Sequence, residues 1–349
     1  MTTHVDLFDK PVSQDGLSSS WPKRFAWLVT CLTFPLIFVG GLITTTDAGM
    51  AVPDWPTTFG YNMFLYPWYS WVFGPWDLFI EHGHRLFASV VGMVSIAFVF
   101  VAFKWEQRSW MRKLVVFALL LVSAQGVLGG VRVTENEVLL AMVHGCTAPL
   151  FFSLTVFNST TYTRFWRGPL ADCRTAKGPE PSLLVKPLRL AAITTVLVYV
   201  QLVLGASIRH VPVTASTQTF STLVIFHLVM ALVVTVHVIA LAVILWKNKE
   251  LATSIRRTGK WLAGMVLLQV GLGASTWVLN YGYPFGWGEN KLTANHLVTT
   301  YGWWQAHITT AHMALGSLLL VFCVAVVTRL LRLRFVVKSG AGEQDNATT

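Results

Sequence analysis

The sequence predicts an all-α integral membrane protein whose eight transmembrane helices form two pseudo-symmetric four-helix bundles. Three observations lead there. First, 54% of the 349 residues are apolar and 12% are charged, against roughly 25% charged residues in a soluble domain. Second, apolar stretches long enough to cross the bilayer, about 20 residues each, recur eight times, near 25–45, 80–103, 113–132, 138–160, 188–208, 221–246, 260–280 and 303–328. Third, small-residue motifs in the odd spans alternate with histidines in the even ones, as expected of a duplicated unit. This composition excludes a soluble globular enzyme, a disordered chain and a nucleic-acid binder. The net charge of +10 belongs to short loops between apolar runs and points to a lipid bilayer instead.

The first span follows a polar 24-residue leader with Asp6, Asp9 and Asp15. It is too long for a signal-peptide core and no small-residue cleavage site follows, so it is expected to stay as an anchor. The leader is too acidic for a mitochondrial transit peptide, which favours a bacterial cell membrane. Span 2 is preceded by a long 46–79 loop rich in tryptophan (Trp55, Trp68, Trp71, Trp76) and opens on Glu81-His82-Gly83-His84-Arg85. Spans 3, 5 and 7 carry Gln125-Gly-Val-Leu-Gly-Gly, Gln201-Leu-Val-Leu-Gly-Ala and Gln269-Val-Gly-Leu-Gly-Ala, with a weaker Gly40-Gly41-Leu42 in span 1. Such residues let helix backbones, or a flat ligand, approach closely, and helix packing is the simpler reading. Spans 4, 6 and 8 carry His144, His227 and the pair His307 and His312.

Orientation follows from the basic residues. Of the 26 Lys and Arg, 22 fall in the leader, the 104–113 loop, the 161–189 segment, the 247–260 loop and the tail. The excess of positive charge places both termini in the cytoplasm. The expected organisation is a cytoplasmic leader (1–24), an N-terminal half (25–165), a cytoplasmic linker (166–187), a C-terminal half (188–330) and a cytoplasmic tail (331–349).

The even-span histidines share a depth. His84, His144 and His227 each lie 20 residues before the first basic residue that ends their span, Lys104, Arg164 and Lys247. About 20 residues of helix measure about 30 Å, so these imidazoles sit toward the outer side of the membrane. Ionisable groups inside spans are functional-site candidates, imidazole is an axial ligand of haem iron, and helix bundles build such sites from facing helices. Two histidines per half imply two bis-histidine haems. No Cys-x-x-Cys is present, so attachment is non-covalent. His4 and His296 read as inert, and His210 and His237 as satisfied polar residues.

In span 8 only one of His307 and His312 can face the partner of His227. They are five residues apart, about 140° around a helix. His312 is favoured because Gly316 leaves room one turn below it, while His307 adjoins Trp303 and Trp304. Glu81 shares a helix face with His84 and has no counterpart in the other even spans. It is therefore the candidate acid/base, with orientation of a histidine or pairing with Arg85 as the alternative. Arg85, Arg132 and Arg209, at the outer helix ends, are candidates for binding haem propionates, with interfacial positioning as the alternative.

At this point the sequence resembles the haem A synthase family. The residues that carry the resemblance are Glu81-x-x-His84-Arg85, His144-Gly145-Cys146, the Gln-x-x-Leu-Gly repeats, His227, His312-Met-Ala-Leu-Gly and Pro53-Asp54-Trp55-Pro56. The resemblance implies oxidation of the C8 methyl of haem O to a formyl group, giving haem A for cytochrome oxidase. It implies that Glu81 is catalytic, that haem O binds between His84 and His144, and that a resident haem b occupies the C-terminal site. Its implied partners are an electron donor or acceptor and, as a candidate, the haem O-producing farnesyltransferase. Many relatives carry a cysteine pair flanking the Pro-Asp-Trp-Pro stretch. Val52 and Thr58 stand there in this chain, so thiol chemistry in that loop is not expected. A two-haem electron carrier resembling cytochrome b, and a transporter with structural histidines, are the other function classes the pattern admits.

Overall fold

The computed structural model describes residues 19–167, 181–212, 214–284 and 296–346, so Lys291 and His4 lie outside the described residues. Eight long helices dominate it: α1 (Trp21–Thr45), α2 (Trp76–Trp105), α3 (Ser109–Thr134), α4 (Val138–Thr161), α5 (Pro181–Arg209), α6 (Thr217–Lys247), α7 (Thr253–Tyr281) and α8 (Trp303–Asn346). All eight are long and apolar enough to cross a membrane. Even α4, with 24 residues, extends about 36 Å at ~1.5 Å per residue. The helices run past the apolar stretches read from sequence. Hydrogen bonding continues through residues that suit the headgroup layer, such as Trp76 at the start of α2 and Lys104 in its last turn.

Local chemistry sets the ends. Pro22 lies in the first turn of α1, where its missing N–H costs nothing. Asp77 and Lys104 complement the dipole of α2 at its two ends. The Ser216 hydroxyl accepts from the Thr219 N–H at 3.1 Å to cap α6. Gly282, at φ 82°, ends α7 in a left-handed conformation that an L side chain resists. Within the spans, hydroxyls return to the backbone four residues earlier, as Thr30 does to Ala26 at 2.9 Å and Thr33 to Val29 at 2.7 Å. Hydrocarbon offers them no other partner.

Among the described residues two large apolar cores form, with a smaller cluster of Leu42, Ile43, Ala48, Ile80 and Ala306. One joins α1–α4 through Ala26, Val29, Val91, Phe98, Met111, Val115 and Phe151. The other joins α5–α8 through Leu184, Val198, Val238, Leu241, Leu262, Leu320 and Leu330. The large side chains left outside, among them Phe100, Leu120, Val196 and Leu232, cover surfaces suited to lipid. Helix α8 is the most interior, with 56% of its apolar window buried against at most 39% elsewhere. It packs on α1, α4, α5 and α7, and so links the two cores. Polar contacts cross the same seam: Thr45 to Thr310 at 3.0 Å and the Tyr199 hydroxyl to the Cys146 carbonyl at 3.3 Å.

The segment between α1 and α2 is structured. Thr57–Thr58 (β1) and Tyr61–Asn62 (β2) form a two-residue antiparallel hairpin. Its turn, Phe59-Gly60, has φ of 50° and 78°, as a type I′ turn requires. The Asp54 carboxylate accepts both turn N–H groups, from Phe59 and Gly60, at 2.8 Å each. Burial pushes the Asp54 carboxyl upward. The bonds from Gly60, Thr57 and Phe59 together outweigh it and hold the group below its usual 3.8.

Candidate functional site

His84, His144, His227 and His312 each fall within the first eleven residues of α2, α4, α6 and α8. Because successive helices alternate in direction, all four lie toward the end of the bundle that carries the α1–α2 loop. Each imidazole turns its Cε1 edge to a glycine of the preceding helix. A Cβ built on Gly40 would lie 3.1 Å from His84 Cε1, on Gly129 3.1 Å from His144 Cε1, on Gly205 3.2 Å from His227 Cε1 and on Gly273 3.0 Å from His312 Cε1. The repeated glycines are therefore seats for imidazoles. The small-residue stripe, read most simply as helix packing, has this more particular geometry.

Around His84 the structure gathers His144, Arg85 and Arg132 within electrostatic range, and Glu81 lies within range of Arg132. His84 Nδ1 and His144 Nδ1 are buried without hydrogen-bond partners. Glu81, 3% exposed, is held at both oxygens. Oε1 accepts from Arg85 Nη2 at 2.7 Å and Oε2 from the Val52 N–H at 3.0 Å. Arg85 also donates to the carbonyls of Val52 (2.7 Å), Asp54 (2.7 Å) and Thr57 (3.2 Å). The Glu81–Arg85 pair thus fastens the Pro-Asp-Trp-Pro loop over this end of α2.

In the other core, His227 and His312 face each other with ring centroids 6.4 Å apart. Imidazoles so spaced would hold a metal-bearing macrocycle between them. His312 Nδ1 lies 3.2 Å from the Gln269 carbonyl. That contact leaves Nε2 as the free ring nitrogen. His307 stacks on Trp303 at 3.7 Å and turns Nδ1 to the Trp303 carbonyl at 2.8 Å. It lines a cavity of about 290 Å³ with Thr46, Trp76, Tyr301 and Ala306.

The residues present fit a haem held by two axial imidazoles. Orphaned buried nitrogens in the first pair, ligand spacing in the second and glycine cradles beside all four supply what such a group needs. Among the described residues no group of three or more His, Cys, Asp or Glu converges as a metal site. A macrocycle needs only the axial pair from the protein.

The interior arginines have protein partners here. Arg132 donates to the Gly49 carbonyl at 2.5 Å, and Arg209 to the Gly41 carbonyl at 2.6 Å and to the Thr45 hydroxyl. Both hold the end of α1 and the loop after it. His210 and His237 bond the carbonyls four residues upstream, each at 2.9 Å, as satisfied polar residues do. Sequence reasoning passed over His82. It is fully buried between Tyr66 and Trp71, with Nδ1 3.1 Å from the Thr58 hydroxyl. Its neighbours in the chain drew the attention, and only the hairpin brings Thr58 to it. Trp55 packs on Gly130, where any Cβ would overlap the indole.

Fold and site together define a multi-pass helical membrane protein with paired interior histidines. The family model described as "Cytochrome oxidase assembly protein" matches residues 75–223, which takes in Glu81, His84, Arg85, Arg132, His144 and Arg209 and stops before His227. Three curated relatives carry the name "Heme A synthase". That of Geobacillus kaustophilus (strain HTA426) is 28% identical over 46% of this chain and 48% of its own length. That of Geobacillus thermodenitrificans is 26% identical over the same shares. That of Shouchella clausii (strain KSM-K16) is 25% identical over 57% of this chain and 62% of its own. The chain thus spans about half to three-fifths of the length of the relatives it matches. Over these parts the chain is similar to the family so described and to relatives named "Heme A synthase".

Proposed function

We propose that the protein is a haem A synthase that oxidises the C8 methyl of haem O to a formyl group. In this reading the bundle is two pseudo-symmetric four-helix halves with both termini cytoplasmic and both haem sites toward the outer side. His84 and His144 hold the substrate haem O, and His227 and His312 hold a resident haem b. The observation that carries the reading is an asymmetry: two interior histidine pairs, of which, among the described residues, only one has a buried carboxylate beside it.

The substrate's iron supplies the redox chemistry needed at an unactivated methyl C–H bond. The protein supplies position and proton handling. His84 and His144 fix the macrocycle. The α1–α2 loop, fastened by Arg85 through three carbonyls, covers the pair and excludes water. Taking the methyl group and water to a formyl group releases protons and electrons; the electrons pass to the external acceptor that this reading requires, and Glu81, held at Oε2 by the Val52 N–H, is assigned the uptake of the protons. Arg85 keeps that carboxylate aimed. Arg132 and Arg209, already directed at the end of α1, are the cations available to haem propionates.

The test is Glu81→Ala. The carboxylate is no iron ligand in this reading, so the purified variant should keep its visible haem spectrum while haem O, or a hydroxylated form, accumulates. Undiminished haem A output would remove Glu81 from the chemistry. A second reading, a two-haem electron carrier, is favoured by one observation: both Glu81 oxygens are occupied in loop contacts. The haem species extracted from the protein separate the two.

A further inference from the structure

We propose that Gln201 and Gln269 are the positioning residues of the His227/His312 pair, and that Leu36, which holds the equivalent place beside His84, makes that histidine the replaceable ligand. The register is the first observation. In α3, α5 and α7 a glutamine stands four residues before the glycine that seats the next helix's imidazole: Gln125 before Gly129, Gln201 before Gly205, Gln269 before Gly273. In α1 the residue four before Gly40 is Leu36.

The contacts grade in the same order. Gln269 Nε2 donates to the His312 carbonyl at 2.9 Å, while the Gln269 main-chain carbonyl lies 3.2 Å from His312 Nδ1. Side chain and main chain of one residue thus grip His312 at two points. Gln201 Nε2 lies 3.1 Å from the His227 carbonyl and 3.2 Å from both ring nitrogens. The Gln125 main chain faces the His144 ring, but its side chain reaches that histidine only through the Thr147 hydroxyl, which donates to the His144 carbonyl at 3.3 Å. His84 meets no glutamine, and its Nδ1 is buried without a partner.

The amide oxygens of Gln125, Gln201 and Gln269 are all buried and unpartnered. Gln201 Nε2, donating to the His227 carbonyl, holds the amide against the His227 ring and limits its rotation, and the Gln269 main-chain carbonyl is the acceptor placed at His312 Nδ1. An imidazole whose Nδ1–H is accepted is fixed in orientation and tautomer and is the more basic ligand at Nε2. Loss of such a partner costs about 10- to 100-fold in metal affinity. The His227/His312 pair therefore holds its haem firmly, and the His84/His144 pair, open on the His84 side, lets its haem go. Linking this release to turnover rests on the function proposed above, since a substrate site must discharge its product and a resident site must not.

The experiment is haem transfer from the purified full-length protein in detergent to excess apomyoglobin, with the two pools followed by mass-resolved extraction. In the unmodified protein the His84/His144 pool should leave about 10- to 100-fold faster. Leu36→Gln should slow that pool toward the rate of the other. Gln269→Leu should speed loss of the His227/His312 pool and broaden its low-spin spectrum, and Gln269→Glu, which has no N–H to give the His312 carbonyl, should not restore the retention. Equal release from both pools, or rates unmoved by both Leu36→Gln and Gln269→Leu, would overturn the proposal. If both pools prove to be haem b, the functional reading fails, and the order of release is then read from His84→Ala and His227→Ala, each of which leaves the other pair's pool to be timed alone.

Discussion

Gly273 gives the sharpest mechanical test of the imidazole seats. Replaced by alanine, its Cβ would lie 3.0 Å from His312 Cε1 and 3.5 Å from Nδ1, where ordinary contact begins at 3.4 Å. The ring must therefore yield by about 0.4 Å, and the 3.2 Å contact from Nδ1 to the Gln269 carbonyl is strained with it. Alanine favours helix over glycine by about 1 kcal/mol, so the substitution does not itself threaten α7. Gly271→Ala, on the same helix with nothing within 4 Å of its Cβ, is the control. We expect Gly273→Ala to fold like the control yet lose roughly tenfold or more in haem affinity at this pair. The assay is haem content and low-spin absorbance of both variants purified side by side. Identical haem content and spectra in the two would refute the idea that glycine spacing positions the ligand.

Further outcomes follow from the α1–α2 loop. Arg85→Gln removes the donors to Val52, Asp54 and Thr57, so amide hydrogen exchange across residues 52–58 should rise at least tenfold while exchange in α6 is unchanged. Gly130→Ala forces the Trp55 indole away, and a red-shifted, more quenchable tryptophan emission should report it. Asp54 gives a pH dependence. Its folded-state value is depressed, so its contribution is present above the unfolded value of 3.8 and is lost as pH falls through the lower folded one. Protection of the Phe59 and Gly60 amides should accordingly hold at pH 5 and fall away only below 3.8, and Asp54→Ala should lack that protection throughout.

The eight spans and the alternation of glycine with histidine were legible because hydrocarbon imposes length and because the helical period puts like residues at like depth. Gly316 and the neighbouring tryptophans led to a preference for His312 over His307; the structure sets His312 opposite His227, but the space at Gly316 is taken by Leu202 and Gln269. The partners of Glu81 and Arg85 were harder to read. Val52, Asp54 and Thr57 lie in an irregular loop about thirty residues upstream, and no periodicity links a carboxylate to a main-chain N–H. The arginines expected at propionates carry charges that a low-dielectric interior cannot leave bare, so they take the carbonyls of Gly41 and Gly49. The glutamines stood in plain view as a repeat, but a repeat shows similarity of place and not direction. Only the pairing of α5 with α6 and of α7 with α8 reveals that they address histidines.

The central claim is that two unlike haems occupy the two histidine pairs and that one of them is substrate. Mass-resolved extraction of the pigments from the purified, unmodified protein tests it most directly. The account predicts haem b together with haem O, its hydroxylated form or haem A, with the second group lost in His84→Ala and haem b lost in His227→Ala. Haem b alone in the unmodified protein, removed in part by either substitution, would contradict it and leave an electron carrier.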